Sequence, residues 1–333
     1  MKHIFIINPT AGKRDGSERV RAMAEALRRN HALDVECLLT QSPGHATALA
    51  RDAAARGGEV RLYACGGDGT ANEVANGIAG LANAAMTVVP IGTGNDLLKN
   101  FGADAAKFAA PENLWDGEAR ALDLIDCNGR LCLTIACSGV DARIARDVHR
   151  FSSLPLLHGK GSYIASLIVN FLFKGIGSHW TVLLGGEELA AKDFSVIAVC
   201  NGRYYGGGFM PVAEAGMTDG VLHTLVVKQV SRARFLQFVG PYSKGNYAKV
   251  PAFASCRAVP EVRIVSERED VVTCLDGECF TSRDVTMRLA DRKLNFFAPA
   301  GSSPDATRRW SGFTPVSPRA DAPVFACGAA ADA

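Results

Sequence analysis

Through its first hundred residues the chain alternates strand-like and helix-like segments, and three of the strand-like runs end in a loop that carries glycine. Ile4–Ile7 is a continuous apolar run stopped by Asn8-Pro9, the pattern of a buried strand. From Ser17 to Asn30, Val20, Met23, Ala24 and Leu27 share one helical face with Arg and Glu opposite. Val35–Leu39 reads as a second strand and His45 to Arg56 as an alanine-rich helix halted by Gly57-Gly58. Val60–Cys65 then reads as a strand, Thr70 to Ile78 as a helix and Met86–Ile91 as a fourth strand. This order predicts an α/β domain over residues 1–120, with a doubly wound parallel sheet and helices on both faces. Ligands of such sheets sit beyond the carboxyl ends of the strands. The unusual segments fall there: Asn8-Pro9-Thr10-Ala11-Gly12, Gly66-Gly67-Asp68-Gly69-Thr70 and Gly92-Thr93-Gly94-Asn95-Asp96.

Beyond about residue 120 strands dominate: Ala121–Asp126, Leu131–Cys137, His179–Leu184, Phe194–Cys200, Val221–Val227, Val262–Val265, Val271–Leu275, Val285–Leu289 and Leu294–Phe297. Helical stretches interrupt them near Val140–Arg150, Tyr163–Phe173 and Arg232–Val239. The pattern predicts a mainly antiparallel β-sandwich domain with inserted helices over 121–299, its last strand a candidate to return to the first domain. Residues 300–333, rich in Ala, Pro and Ser without periodicity, read as a disordered tail.

A net charge of +2 gives no footprint for nucleic-acid binding, so an anionic ligand needs a local site. Ten cysteines without any CxxC spacing exclude a zinc ribbon and favour a reducing compartment. The apolar run Ile4–Ile7 is too short for a signal sequence, and Ile164 to Phe173, at about 10 residues, is too short to span a bilayer. The expectation is a cytoplasmic protein.

The Gly66–Thr70 loop joins a strand to a helix, and its glycines permit positive φ and close approach of a phosphate to the backbone. Thr70 and Glu73 have capping-box spacing, which directs free amides and the positive end of the helix at a ligand. A tight turn without ligand is the other reading, and neither the GxGxxG nor the GxxxxGK[ST] pattern is present. Gly92 to Asp96 adds glycines, a hydroxyl and Asn95-Asp96, which could equally cap a short helix Leu97–Phe101; the first loop adds Thr10, Gly12 and Lys13. Asp68, Asp96 and Asp123 each follow or end a strand, and carboxylates facing phosphates call for Mg²⁺ between them. A plain strand position is the alternative for Asp123.

Asn8 to Gly12, the Gly66–Thr70 loop with Asn72 and Glu73, and Gly92 to Leu97 together resemble the diacylglycerol kinase catalytic-domain superfamily, which includes soluble bacterial lipid kinases, ceramide kinases and sphingosine kinases. The second half is similar too, in Asn201-Gly202, Tyr205-Gly206-Gly207-Gly208, Asp219-Gly220 and Leu275-Asp276-Gly277-Glu278. The resemblance runs in order over about residues 2–299. It implies a two-domain ATP- and Mg²⁺-dependent kinase that phosphorylates the hydroxyl of a diacylglycerol-like lipid at the inner membrane surface, with transient membrane contact and homodimerisation left open. By the same resemblance, Asn8, Pro9, Thr10, Ala11, Gly12, Thr40, Gly66, Gly67, Asp68, Gly69, Thr70, Ala71, Asn72 and Thr93 contact the nucleotide. Glu278 is the proton acceptor, and Asp68, Asp96 and Asp123 organise the catalytic Mg²⁺. A separate structural Mg²⁺ is implied at Asp219 with the carbonyls of Gly216 and Val221. The Gly-Gly-Asp-Gly-Thr loop alone is shared with NAD kinases, so an NAD kinase-like enzyme and a non-catalytic nucleotide- or lipid-binding regulator are the alternatives.

For the lipid, Leu154 to Phe173 offers Leu156, Leu157, Ile164, Leu167, Ile168, Phe171 and Phe173 as an apolar cleft or as plain core. Arg143, Arg146, Arg150, Lys160 and Lys174 flank it, as a membrane-facing basic group or a solvated face, and His149 and His158 read as surface residues.

Overall fold

The computed structural model describes residues 1–152 and 175–308, with side chains for all of these except 148–152. The expected Tyr163–Phe173 helix, the Leu154–Phe173 cleft, His158, Lys160, Lys174 and the tail beyond 308 lie outside the described residues, as do the side chains of His149 and Arg150.

The first half alternates as the hydrophobic pattern requires: β1 (Lys2–Ile7), α1 (Ser17–His31), β2 (Asp34–Leu39), α2 (His45–Ala55), β3 (Val60–Gly66), α3 (Asp68–Ile78) and β4 (Ala84–Pro90). Ile4 to Ile7 are fully buried, because β1 is covered on both faces as a central parallel strand. Phe5 stacks on Tyr63 of β3 with centroids 4.1 Å apart. The sheet is completed by β5 (Glu118–Leu122) and by β19 (Leu294–Ala298), which comes back from the far end of the chain. Its order is β2-β1-β3-β4-β19-β5, parallel except for β5 against β19. From β1 the chain moves outward to β2 and then back past β1 to β3, so strand order reverses between β1 and β3. A crevice opens at the carboxyl ends of strands at such a point.

The second half builds two antiparallel sheets. One runs β11 (Glu187–Glu188), β10 (Thr181–Leu184), β15 (Glu261–Val265), β18 (Asp284–Leu289), β6 (Ile125–Cys127), β7 (Arg130–Cys132). The other runs β14 (Ala254–Val259), β13 (Leu222–Lys228), β12 (Asp193–Cys200), β8 (Ile135–Gly139), β16 (Val271–Leu275), β17 (Glu278–Ser282), with β9 (Ser178–His179) on β12. Along β12, Phe194, Ile197 and Val199 enter the core between the sheets, while Val196, Ala198 and Cys200 enter a second core on the opposite face. That second core is closed by α5 (Val140–Ser152) and α6 (Arg232–Tyr242) through Val140, Ala142, Phe235 and Phe238. Among the described residues no helix is long and apolar enough to cross a membrane.

Four expectations need correction. His179–Leu184 is not one strand: His179 pairs in β9 with Asp193 of β12, and Thr181–Leu184 form β10 against β15 in the other sheet. The single strand Ala121–Asp126 is two: β5 belongs to the first sheet and β6 to the sandwich. Asp123 and Leu124 leave the ladder between them, the Asp123 amide donating to the Met217 carbonyl (2.8 Å) and the Leu124 carbonyl accepting from Ala290 (2.9 Å). The boundary therefore falls at this kink and not at residue 120. Leu131–Cys137 likewise splits into β7 and β8, because the amides of Leu133 and Thr134 turn to the Asp276 carboxylate. Residues 301–308, expected in a disordered tail, fold back on the molecule: Ser302 is buried, and Asp305 accepts from the Met217 amide at 3.0 Å.

Candidate active site

The three glycine-bearing loops meet at the β1/β3 crevice and lock to one another. Asn8 donates from Nδ2 to the Thr70 hydroxyl (3.1 Å) and accepts at Oδ1 from the amide and hydroxyl of Thr10 (3.0 and 2.8 Å). The amides of Ile91 and Gly92 both donate to the Gly66 carbonyl (3.1 and 3.0 Å). A Cβ on Gly66 would stand 2.2 Å from Thr70 Oγ1, and one on Gly92 would stand 2.4 Å from Gly67 Cα. These glycines exist to let the loops pack. The positive φ expected of the Gly66–Thr70 loop is absent; of the glycines in the three loops only Gly12 has it, at +81°. At Gly67 the backbone is extended, and a Cβ would meet nothing nearer than Gly92 Cα at 3.5 Å.

Helix α3 starts at Asp68, two residues before the expected Thr70, with Gly67 at the N-cap and no side-chain cap. The Thr70–Glu73 capping box therefore does not form. Thr70 instead accepts from Asn8, and Glu73 takes the amides of Gly44 (2.8 Å) and Ala46 (3.0 Å) at the start of the neighbouring helix α2. The first bond of α3 runs from the Ala71 amide to the Gly67 carbonyl. The amides of Asp68, Gly69 and Thr70 thus have no acceptor among the described residues, and these three residues line the crevice. An N-terminus of this kind favours an anion.

The crevice, a cleft of about 300 Å³, is walled by Asn8, Ala11 and Gly12, by Gly67 to Thr70, by Gly92 to Gly94, and from the sandwich by Asp276 to Glu278. Asp276 and Gly277 form a two-residue hairpin loop with φ of +47° and +102°, which Asp-Gly accommodates well and which starts β17 at Glu278. The Asp276 carboxylate accepts from the amides of Leu133 (2.5 Å) and Thr134 (2.9 Å), the Thr134 hydroxyl (2.5 Å) and Asn72 Nδ2 (2.9 Å). So braced, the turn carries Glu278 to the cleft, where its Oε1 lies 3.6 Å from the position a Gly69 Cβ would take.

Asp68 Oδ1 accepts the amides of Asp96 (2.6 Å) and Leu97 (3.3 Å), so it, and not Asn95 or Asp96, caps the short helix α4 (Asp96–Lys99). Burial first, then the charges of Asp96 and Asp276, push its carboxyl up to about 6, partly offset by the two amides. Asp96 is buried, with Oδ1 paired to Lys99 and Oδ2 accepting the Gly207 amide at 2.8 Å. Asp68 Oδ2 takes no donor among the described residues and lies 2.6 Å from where a Gly94 Cβ would sit. One carboxylate oxygen left over beside unpaired amides suits Mg²⁺, which takes one or two carboxylates and completes its shell with water and phosphate oxygens. The cleft residues therefore fit that ion together with a phosphate-bearing ligand.

The remaining expected site residues fall elsewhere. Asp123 does not reach the cleft: at the β5–β6 kink it is buried, ion-paired to Lys293 (2.8 Å) and accepting the Gly220 amide (2.7 Å). Asn72 turns to the Leu131 carbonyl and Asp276, bracing the two halves, and Ala71 is core. Thr40 follows β2 with its amide on the Ile7 carbonyl, outside the cleft wall, as are Thr10, Gly66 and half-buried Pro9. Asp219, Gly216 and Val221 do not fit a metal: Oδ1 of Asp219 accepts the Val221 amide (3.0 Å) and Oδ2 is taken by Arg308 (2.5 Å). Asp276 stood in the sequence only within the Leu275–Glu278 stretch that carries the resemblance, with nothing to mark it as a brace, and Lys99 carried no signal.

Residues 2–127 match the family described as "Diacylglycerol kinase catalytic domain", and residues 134–298 match "YegS C-terminal NAD kinase beta sandwich-like domain". The protein of Pseudomonas syringae pv. syringae (strain B728a) named "Probable lipid kinase YegS-like" is 30% identical over 293 residues, covering 87% of this chain and 92% of its own. The "Diacylglycerol kinase" of Bacillus subtilis (strain 168) is 25% identical over 245 residues, covering 73% of this chain and 79% of its own. In fold the chain is similar to the crystal structure of a diacylglycerol kinase from Bacillus anthracis str. Sterne, with a TM-score of 0.62 at 20% identity over 89% of this chain and 96% of the other. With both halves matched in order, this chain belongs to the diacylglycerol kinase family and is a lipid kinase.

Proposed function

We propose that the chain transfers the γ-phosphoryl group of ATP, with Mg²⁺, to the hydroxyl of a diacylglycerol-like lipid presented at a membrane surface. The observation that carries this reading is the meeting of Glu278 with the unpaired amides of α3 across one cleft. The amides of Asp68, Gly69 and Thr70 would hold phosphate oxygens, and Asn8 keeps the first loop against them. Asp68 would hold the Mg²⁺, whose contribution when bound is to neutralise charge on the phosphates as transfer proceeds. Asp96, fixed by Lys99 and Gly207, secures the backbone that supports Asp68. A carboxylate is too weak a base to strip an alcohol beforehand. Glu278 would accept the hydroxyl proton late, as the new oxygen–phosphorus bond forms and the bond to the leaving diphosphate breaks.

The test is transfer of labelled γ-phosphate into a panel of lipids in mixed micelles, with NAD as a competing acceptor. Diacylglycerol-like lipids should take the label and NAD should not. Glu278→Gln should lose at least about a hundredfold in turnover while nucleotide affinity stays within a few-fold. Labelling of NAD alone, or near-normal turnover in Glu278→Gln, would overturn the reading.

A further inference from the structure

We infer that the Asp219 corner is held by the guanidinium of Arg308 in place of a divalent cation, so that residues 302–308 act as a clasp on the loop leading to Asp96. The loop between β12 and β13, residues 201–221, crosses from the sandwich to the active site and back. Its Gly207 amide is the donor that fixes Asp96. Near its other end, Arg308 joins two points at once: Nε donates to the Glu214 carbonyl (2.7 Å) and Nη2 to Asp219 Oδ2 (2.5 Å). A Gly216 Cβ would stand 2.9 Å from Arg308 Nη1 and 3.0 Å from Asp219 Oδ2, so the absence of a side chain at 216 is what makes room for the guanidinium. The side chains of Arg308 and Asp219 are 14% and 17% exposed. At that burial the attraction is little screened by solvent, and a second cation on the same carboxylate would be repelled as strongly. Asp219 Oδ1 already accepts an amide and Oδ2 a guanidinium, so Mg²⁺ would have to share the carboxylate with a like charge seated on it.

The same segment grips the loop a second time. Arg203 is fully buried, donating to the carbonyls of Ala215 (2.7 Å), Asn100 (3.0 Å) and Pro304 (2.6 Å) and to the Thr307 hydroxyl (3.0 Å). Asp305 lies 3.5 Å from Arg203 and accepts from the Met217 amide and the Thr218 hydroxyl. Arg203 and Arg308 are positioning residues: they set the course of the loop and touch no reacting group.

Thermal unfolding without nucleotide or lipid tests this independently of the kinase reading. Wild type, Asp219→Asn, Arg308→Ala, Arg308→Lys and Arg308→Ala/Asp219→Asn are each melted in EDTA and in MgCl₂ or CaCl₂. Wild type should show no ion-dependent rise beyond any that Asp219→Asn retains. Arg308→Ala should melt about 5 °C or more lower in EDTA and regain part of the loss with either salt. Adding Asp219→Asn should abolish that recovery. Arg308→Lys should fall between, since it keeps the charge but replaces the planar fork that reaches Glu214 and Asp219 from separate nitrogens with a single ammonium. A salt-dependent rise in wild type that Asp219→Asn removes would overturn the inference, and that arm needs no Arg308 variant to fold. So would an Arg308→Ala protein that melts with wild type, or one that melts low and answers to neither ion.

Discussion

Asp68 and His3 are displaced in opposite senses by the same force, burial. Asp68 is pushed up to about 6, and His3, wholly enclosed with Nδ1 on the Tyr63 hydroxyl at 2.9 Å, is brought down to about 4. Between pH 4 and 6 the folded chain takes up a proton at Asp68 that the unfolded chain does not, so acidification stabilises through this residue. Over the window from 6.5 down to 4 the unfolded chain protonates His3 first, so acidification destabilises through that one. The two contributions thus oppose one another across this window. Asp68→Asn should therefore melt above wild type at pH 7, and its stability should fall more steeply than wild type's from pH 6.5 to 4. Urea titrations at pH 4.5 and 7 check both signs; a variant less stable than wild type at pH 7 refutes the account. The kinase pays for this carboxylate in stability. At this scale the sequence marked Asp68, Asp96 and Asp123 by their place at strand ends and Glu278 only through the resemblance, and the structure puts Asp123 away from the cleft. Its partners Lys293 and Gly220 are about a hundred residues and more away in the chain, and no local pattern announces them.

At the scale of elements, two glycines one loop apart do different work. Gly92→Ala would drive a methyl to 2.4 Å from Gly67 Cα, backbone that cannot swing aside as a side chain would, and should cost about 1–3 kcal/mol. Gly67→Ala meets only Gly92 Cα at 3.5 Å in an extended backbone, so its stability should stay close to wild type. Its methyl would instead occupy the space where phosphates approach, and ATP affinity should drop about tenfold or more. Calorimetric melts and nucleotide titrations separate the two; equal losses of stability would show that both glycines serve packing alone. The strands and helices of the first half were legible because their hydrophobic periods are long and regular. The start of α3 was not, because Thr70 and Glu73 form a capping box by spacing alone. The structure assigns Thr70 to Asn8 and Glu73 to α2, contacts that bridge 62 and up to 29 residues of sequence.

Across the whole molecule the chain closes on itself twice. Strand β19 enters the first sheet between β4 and β5, and residues 301–308 then strap the loop that serves Asp96. Their composition, with Ser302-Ser303-Pro304 and no apolar period, resembles that of disordered segments. The strap is secured by polar contacts with distant partners, which composition does not reveal. A chain ending at Ala300 would leave the Arg203 guanidinium buried without Pro304, Thr307 or Asp305. Stranding one side of a buried charged cluster costs about 3–5 kcal/mol, more than surface contacts of the same number would. The truncated protein should therefore melt well below the full chain and lose phosphoryl transfer, because the Gly207 amide is no longer held to Asp96. Arg203→Met in the truncated chain removes the stranded charge and should restore part of the stability without restoring activity. Truncation that leaves the melting transition and the turnover of the full chain unchanged would show that the strap rests on the molecule without holding it.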